Sequence, residues 1–422
     1  MTKSKRIPFY TGTGAVPYDK FGGRTTLRND FLDAILNAEG RGNFAWLIEG
    51  LRGFGKSSFG VWCRDEVKST GRPALVCYIE LAEKVHSEIP VSIEQFIHIV
   101  YDEMIEELAS FSLRAKGKRL AKAARKRGRL KAISVLGSGG EYEPGDPRPI
   151  DIKEFFQDLY KVAKSHSDLL AFVFVLDEIT SRKGAESLSS DFIAAIRRLN
   201  WPDLEAVVGV ILLTTPGFVD RVSGSVNPSR HFIKREKLEV FDFVETKEFV
   251  ERLCLQAGWT FSNDFVDELF MMSGGIPDLV QRIGVDASIA CKKRKATPAY
   301  HLTAEDVQKA AATGQEVAAS IDGLLSFSGF KLPDRGSEYN KKVLSAFYTT
   351  FEPSAVRQGL TKSAWNRGVV AVSPGSTAYS EAFDRVWNAL ADAKLLVREQ
   401  GTNRYRFIAE AVRQYLGTMY SE

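Results

Sequence analysis

The octapeptide Gly50-Leu51-Arg52-Gly53-Phe54-Gly55-Lys56-Ser57 restricts this chain more than any other stretch of it. It has the form G-x-x-x-x-G-K-[ST], and its flanks agree with that form: the apolar run 44–48 reads as a strand, and 56–67 reads as a helix. The glycines let the backbone turn with its N–H groups inward, onto an anion at a helix N-terminus. Lys56 then places a cation on the β- and γ-oxygens of a nucleotide, and Ser57 offers a hydroxyl to Mg²⁺. Gly50, Arg52, Gly53, Phe54, Gly55, Lys56, Ser57 and the adjoining Ser58 are the expected contacts to ATP.

The remaining apolar runs say what surrounds this loop. Strands are expected at 74–81, 169–176 and 207–213, separated by helices at 93–108, 152–163 and 189–199. Runs that are apolar on both faces and alternate with helices predict an α/β fold, a parallel sheet covered by helices on both sides. Residues 1–20 read as an irregular arm, and 26–36 as a helix after the Gly22-Gly23 turn. From residue 246 the strand signals stop, and helices at 246–256, 263–271, 278–291 and 303–313 suggest a helical lid. A linker at 334–337 precedes helices and one late pair of strands, 395–399 and 404–408. The expected domains are thus an arm (1–20), a nucleotide-binding domain (21–245) with a basic insertion (112–148), a lid (246–333) and a C-terminal module (334–422).

The run 173–176 ends in Asp177-Glu178, two carboxylates at the C-terminal edge of a buried strand, where α/β sheets bind ligands. Adjacent acids repel unless a cation stands beside them. Asp177 is expected to hold Mg²⁺ through water, and Glu178 to orient and deprotonate the attacking water. The competing reading makes Asp177 a helix N-cap. The strand 207–213 ends in Thr214-Thr215, and a hydroxyl there, on either residue, would position the water or meet the γ-phosphate.

Composition excludes other classes. The chain is 44% hydrophobic and 26% charged, its longest apolar run falls far short of the roughly 20 residues of a membrane span, and its N-terminus has no secretory apolar region. Four scattered cysteines fit neither a metal site nor a disulfide framework, so a reduced, cytoplasmic protein is expected, without a membrane partner. The net charge of +4 conceals an imbalance: residues 114–131 hold ten Lys or Arg and no acid, so the rest of the chain is at −6. Lys122, Arg125, Lys126 and Arg127 in that segment are candidate contacts to DNA phosphates, with a solvated insertion as the alternative.

With the loop, the acid pair and the threonine strand in place, the chain resembles AAA+ ATPases. It is most like the branch that holds origin-recognition initiators, STAND-type switch ATPases and transposon target-selection ATPases. Phe21-Gly22-Gly23-Arg24 is similar to an F-x-GR box, and Ser273-Gly274-Gly275-Ile276-Pro277-Asp278 with 302–307 to lid motifs. The resemblance implies an arginine contributed by a neighbouring subunit, hence a homo-oligomer in the ATP state, with Arg230 or Arg235 in that role and Arg197-Arg198 competing. It also implies a lid arginine where this sequence has Asp278, with Arg282 one turn later as its substitute. The C-terminal module looks like a winged helix, with Arg398, Arg404 and Arg406 on its wing, but helix 380–393 carries three acids against one arginine. DNA and a protein partner are therefore both expectations for this module.

Overall fold

In the computed structural model the described residues are 6–12, 14–36, 42–81, 93–111, 152–165, 169–178, 185–199, 206–218, 234–294, 300–328, 330–332, 338–351, 356, 358–371, 377–399 and 401–419. They fall into two compact units. One comprises residues 14–50 and 56–238, and the other 1–13, 51–55 and 239–422.

The first unit is built on five parallel strands: β1 (Phe44–Glu49), β2 (Ala74–Glu80), β3 (Ala171–Asp177), β4 (Val207–Thr214) and β5 (Lys234–Lys237), in the order β2-β3-β4-β1-β5. β3 and β4 lie inside the sheet and are buried at every position, which is why they read as unbroken apolar runs. Helices α1 (Thr25–Leu36), α2 (Lys56–Thr70), α3 (Ile93–Phe111), α4 (Ile152–Ser165) and α5 (Ala185–Arg198) accompany them. One aromatic cluster fills the core: Phe155 meets Phe174 and Phe192 with ring centroids 5.7 Å apart in both pairs, and Phe96 packs edge-on against Phe192 at 5.6 Å. The expected sheet and its covering helices are present. The fifth strand was not expected: its sequence, KREK, is entirely charged, with alternate residues exposed. An edge strand draws its stability from the ladder, so it carries no apolar signal.

In the second unit, helices α6 (Phe243–Ala257), α7 (Asn263–Ser273), α8 (Pro277–Arg294) and α9 (Ala304–Thr313) correspond to the four expected lid helices. Asp242 opens α6 with a reciprocal cap: its carboxylate accepts the Glu245 amide at 2.7 Å while Glu245 reaches back to the Asp242 amide at 3.3 Å. A further helix, α10 (Gln315–Ser328), follows where none was expected.

The C-terminal module consists of α11 (Glu338–Thr349), β8 (Leu360–Thr361), α12 (Lys362–Val370), α13 (Thr377–Asp392), β9 (Leu396–Arg398), β10 (Arg404–Phe407) and α14 (Glu410–Met419); the short pair β6 (Thr260–Phe261) and β7 (His301–Leu302) lies in the preceding helical region. The three strands form an antiparallel sheet in the order β8-β10-β9. Phe347, Trp365, Phe383, Trp387 and Phe407 form its core. Helix α14 closes the module and packs on α7. It is tied to α11 by Arg413, which is 1% exposed, ion-pairs with Glu410 and donates to the Phe347 and Tyr348 carbonyls at 2.9 and 3.1 Å.

Removing that guanidinium leaves a buried carboxylate and two carbonyls without their donor. Arg413→Ala is expected to cost about 3–5 kcal/mol, the range for breaking a buried ion pair. Urea unfolding of the full chain checks this, and the loss should appear as a lower midpoint of the transition that reports the C-terminal unit.

Candidate functional site

The loop between β1 and α2 turns at Gly53 and Gly55, with φ of 81° and 87°, conformations that side-chain-bearing residues avoid. Its first amide, Gly50 N, donates to Thr214 O at 3.1 Å, so the loop leaves the sheet as an extension of the β1–β4 ladder. Lys56, the first residue of α2, donates to Gly50 O at 2.7 Å, which holds its ammonium across the mouth of the loop. Ser57 follows on the same helical turn. Phe54 is buried, whereas Arg52 is exposed and lies against α10, where a Cβ on Gly323 would stand 3.6 Å from its Cζ. Ser58 faces elsewhere: its oxygen accepts the Val16 amide at 3.0 Å, which fastens the N-terminal arm to α2.

At the end of β3 the two acids diverge. Asp177 is 1% exposed, and its carboxylate accepts two bonds, from the Tyr78 hydroxyl at 2.7 Å and from the Glu178 amide at 2.8 Å. The amides two and three residues on, to which a capping Asp177 would bond, lie outside the described residues. Glu178 is exposed and has a φ of 55°, in the left-handed region. At the end of β4, Thr214 is 1% exposed, and its Oγ1 has no hydrogen-bond partner among the described residues. Thr215 is half-buried. Of the two threonines, Thr214 is therefore the one with an unused buried hydroxyl.

Sequence reasoning missed Tyr78. It stands on β2, two residues before Glu80, which pairs with Asp177 in the ladder. Burial, and then the Asp177 carboxylate, push its phenol well above the ordinary value, so it remains a neutral donor. The signal that could have found it is a hydroxyl near the C-terminal end of an apolar strand.

The other candidates sit as follows. Arg235 is exposed on the edge strand β5, paired in the ladder with Leu47. Arg197 and Arg198 end α5. Arg230 and the basic residues Lys122, Arg125, Lys126 and Arg127 lie outside the described residues. In the second unit, the Asp278 amide donates to Gly53 O at 3.0 Å, and Ser320 donates to its carboxylate. Arg282 is held between Asp278, at 3.4 Å, and Glu316, at 3.3 Å. On the β9–β10 hairpin, Arg398 donates to Thr402 O at 2.9 Å and to Asn403, Arg404 donates to Gln358 O at 3.1 Å, and Arg406 is half-buried.

The strand order, the all-parallel ladder and the loop after β1 define the AAA+ P-loop fold. Comparison with solved structures agrees: a Walker-type ATPase of Pyrococcus abyssi superposes with a TM-score of 0.51 at 17% identity, over 97% of this chain and 99% of that one. The ORC2 protein of Aeropyrum pernix, solved in ADPNP–ADP complexes, matches at a TM-score of 0.49 and 12% identity over 99% of both chains. The ORC1 protein of the same organism, solved with DNA, matches at 0.44 and 15% over 94% of this chain and 93% of that one. The fold assignment rests on the first of these. No family profile and no curated protein matches the chain.

Proposed function

We propose that this chain binds ATP with Mg²⁺ and hydrolyses it. The observation that carries this reading is the convergence of Lys56, Ser57, Asp177 and Thr214 at the C-terminal edge of one parallel sheet. The oxygen donors fit magnesium, a hard cation: Ser57 brings a hydroxyl, Asp177 a buried carboxylate, and the unpartnered Thr214 hydroxyl suits a water or a γ-phosphate oxygen. Bound magnesium would neutralise charge building up on the phosphates. Lys56 adds the second cation, the loop amides surround the anion, and exposed Glu178 orients a water and takes its proton. That the Pyrococcus protein of like fold is a Walker-type ATPase agrees with this reading. Lys56→Ala should abolish tight ATP binding in an equilibrium titration. Glu178→Gln should bind normally but turn over at least roughly 10²-fold more slowly, the lower scale for a lost general base. Unchanged affinity in the first variant removes the nucleotide assignment, and unchanged turnover in the second removes Glu178 as base.

The reading extends to a shared site, in which turnover is slow until a neighbouring copy completes it. Arg235 suits that role because it is an exposed cation on a sheet edge, free to project from the subunit that carries it. Hydrolysis per subunit is then expected to rise with protein concentration, and Arg235→Ala or Arg230→Ala to flatten the rise. A turnover independent of concentration, with a monomeric mass in ATP, excludes the shared site.

For the target of the switch, DNA is the leading reading, supported by ten cations without an acid in residues 114–131. The C-terminal module has the helix–strand–helix–helix–strand–strand order of a winged helix. A specific observation favours a protein partner for it instead: Arg398 is spent on Thr402 O within the wing and Arg404 on Gln358 O before β8, and Asp384 on α13 is tied to Lys362 at 2.7 Å. Changing Lys122, Arg125, Lys126 and Arg127 to Ala should lower duplex affinity by orders of magnitude. The slope of log K on log salt should become shallower by about 0.9 for each phosphate that is no longer neutralised. Fluorescence anisotropy at several salt concentrations measures both, and a wild-type chain without salt-sensitive binding turns the reading to a STAND-like signalling ATPase.

A further inference from the structure

Tyr78 belongs to none of the nucleotide motifs, yet its hydroxyl reaches one of them: it donates to Asp177 Oδ2 at 2.7 Å. That carboxylate is one of the groups proposed to face magnesium. The ring that carries the hydroxyl is gripped from α2. A Cβ on Gly60 would stand 2.6 Å from Tyr78 Cε2, and the Arg64 guanidinium lies 6.0 Å from the ring centroid. Gly60 and Arg64 stand at i and i+4, so a single helix face supplies the space for the ring and the cation beside it. Register on the other side is fixed by β2–β3 pairing, in which Tyr78 stands opposite Val175.

A phenylalanine would fill the same volume between α2 and the sheet. What the tyrosine adds is one oxygen, and that oxygen joins β2 to the end of β3. Without it, one carboxylate oxygen of Asp177 loses its donor.

We infer that Tyr78 is a positioning residue of the magnesium–nucleotide site: its hydroxyl holds the Asp177 carboxylate in one orientation, so the metal meets a preset oxygen. The inference rests on the ATP·Mg reading above. Groups that orient metal ligands from one bond away commonly govern metal affinity by roughly 10- to 100-fold, and Tyr78 occupies such a place.

The test is a titration of the full chain with a fluorescent ATP analogue, in chelator and across magnesium concentrations. In Tyr78→Phe the affinity in chelator should match wild type, and the half-saturating magnesium concentration should rise roughly tenfold or more. In an Asp177→Asn background the same change should produce no further shift, because the carboxylate it positions is gone. Gly60→Ala, which crowds the ring and leaves the hydroxyl in place, should move the magnesium midpoint in the same direction. Thermal melting identifies a purely structural role, which would lower the melting temperature and leave the magnesium midpoint where it was. An unchanged midpoint in Tyr78→Phe, or an equal shift in the Asp177→Asn background, overturns the inference while the nucleotide reading stands. A wild-type chain that binds no analogue in either condition overturns both.

Discussion

The site depends on one constraint, the register in which β4 lies between β1 and β3. Side chains along a strand alternate between faces, so a slip of one residue would send Asp177 or Thr214 to the opposite side of the sheet. The register is pinned at both ends. At the start of β4 the Asn43 side chain accepts the Val208 amide at 2.8 Å and donates to the Ile196 and Leu199 carbonyls at 2.9 and 3.0 Å, which joins β1, β4 and the end of α5. At the far end, Gly50 N meets Thr214 O at 3.1 Å and Leu238 N meets Glu49 O at 2.7 Å. The Glu49 carboxylate also accepts the Phe218 amide at 3.2 Å, which draws the segment after β4 back to the tip of β1. The polar bonds at the strand ends set the register, and the apolar middle of the sheet supplies the burial that makes it cooperative.

Much of this is legible in the order of residues alone. The glycine loop, the buried strand ending in two acids and the alternation of two-sided apolar runs with helices are direct consequences of chemistry, and each appears where its pattern placed it. What stayed hidden was hidden for physical reasons. β5 is charged throughout because an edge strand needs no apolar face. Tyr78 reads as one more apolar position of ALVCYIE, while in the structure it is half-buried and its oxygen bonds Asp177. Helix α10 begins directly after Gly314 and has Gly323 in its interior, so glycines blur both its start and its period. The strand β8 is two residues long and takes its identity from β10 alone. Function that depends on neighbours distant in sequence is the part that one-dimensional patterns cannot hold.

The lid shows how a local charge balance can change a role. Where the resemblance leads one to expect a cation, Asp278 presents a carboxylate, and its amide donates to Gly53 O of the loop. The nearest cation, Arg282, is 8% exposed and shared between Asp278 and Glu316, so this small cluster carries one positive charge against two negative ones. A guanidinium neutralised in this way offers no net attraction to phosphate oxygens. Among the described residues, Lys56 is the cation whose position is set by the loop itself. On the ATP reading proposed above, nucleotide affinity would lean on the loop and its lysine, while Asp278 contributes its backbone bond to Gly53 O.

The acid pair at the end of β3 poses the opposite problem, since two carboxylates adjacent in sequence repel each other and yet occupy one edge. The backbone resolves it. A left-handed conformation costs a residue other than glycine roughly 1–2 kcal/mol, and Glu178 adopts one, with a φ of 55°. The turn sends successive side chains into different surroundings: Asp177 inward to two donors, Glu178 outward to solvent. Part of the cost is offset by the bond it creates, from the Glu178 amide to Asp177 Oδ1 at 2.8 Å. The buried carboxylate is held in place by its two hydrogen bonds, which suits it to a cation that arrives with substrate. The exposed one keeps access to water, which suits it to move a proton. One strained residue thus gives two adjacent carboxylates different surroundings, one buried and hydrogen-bonded and one exposed, which is the separation the proposed metal-holding and water-activating roles call for.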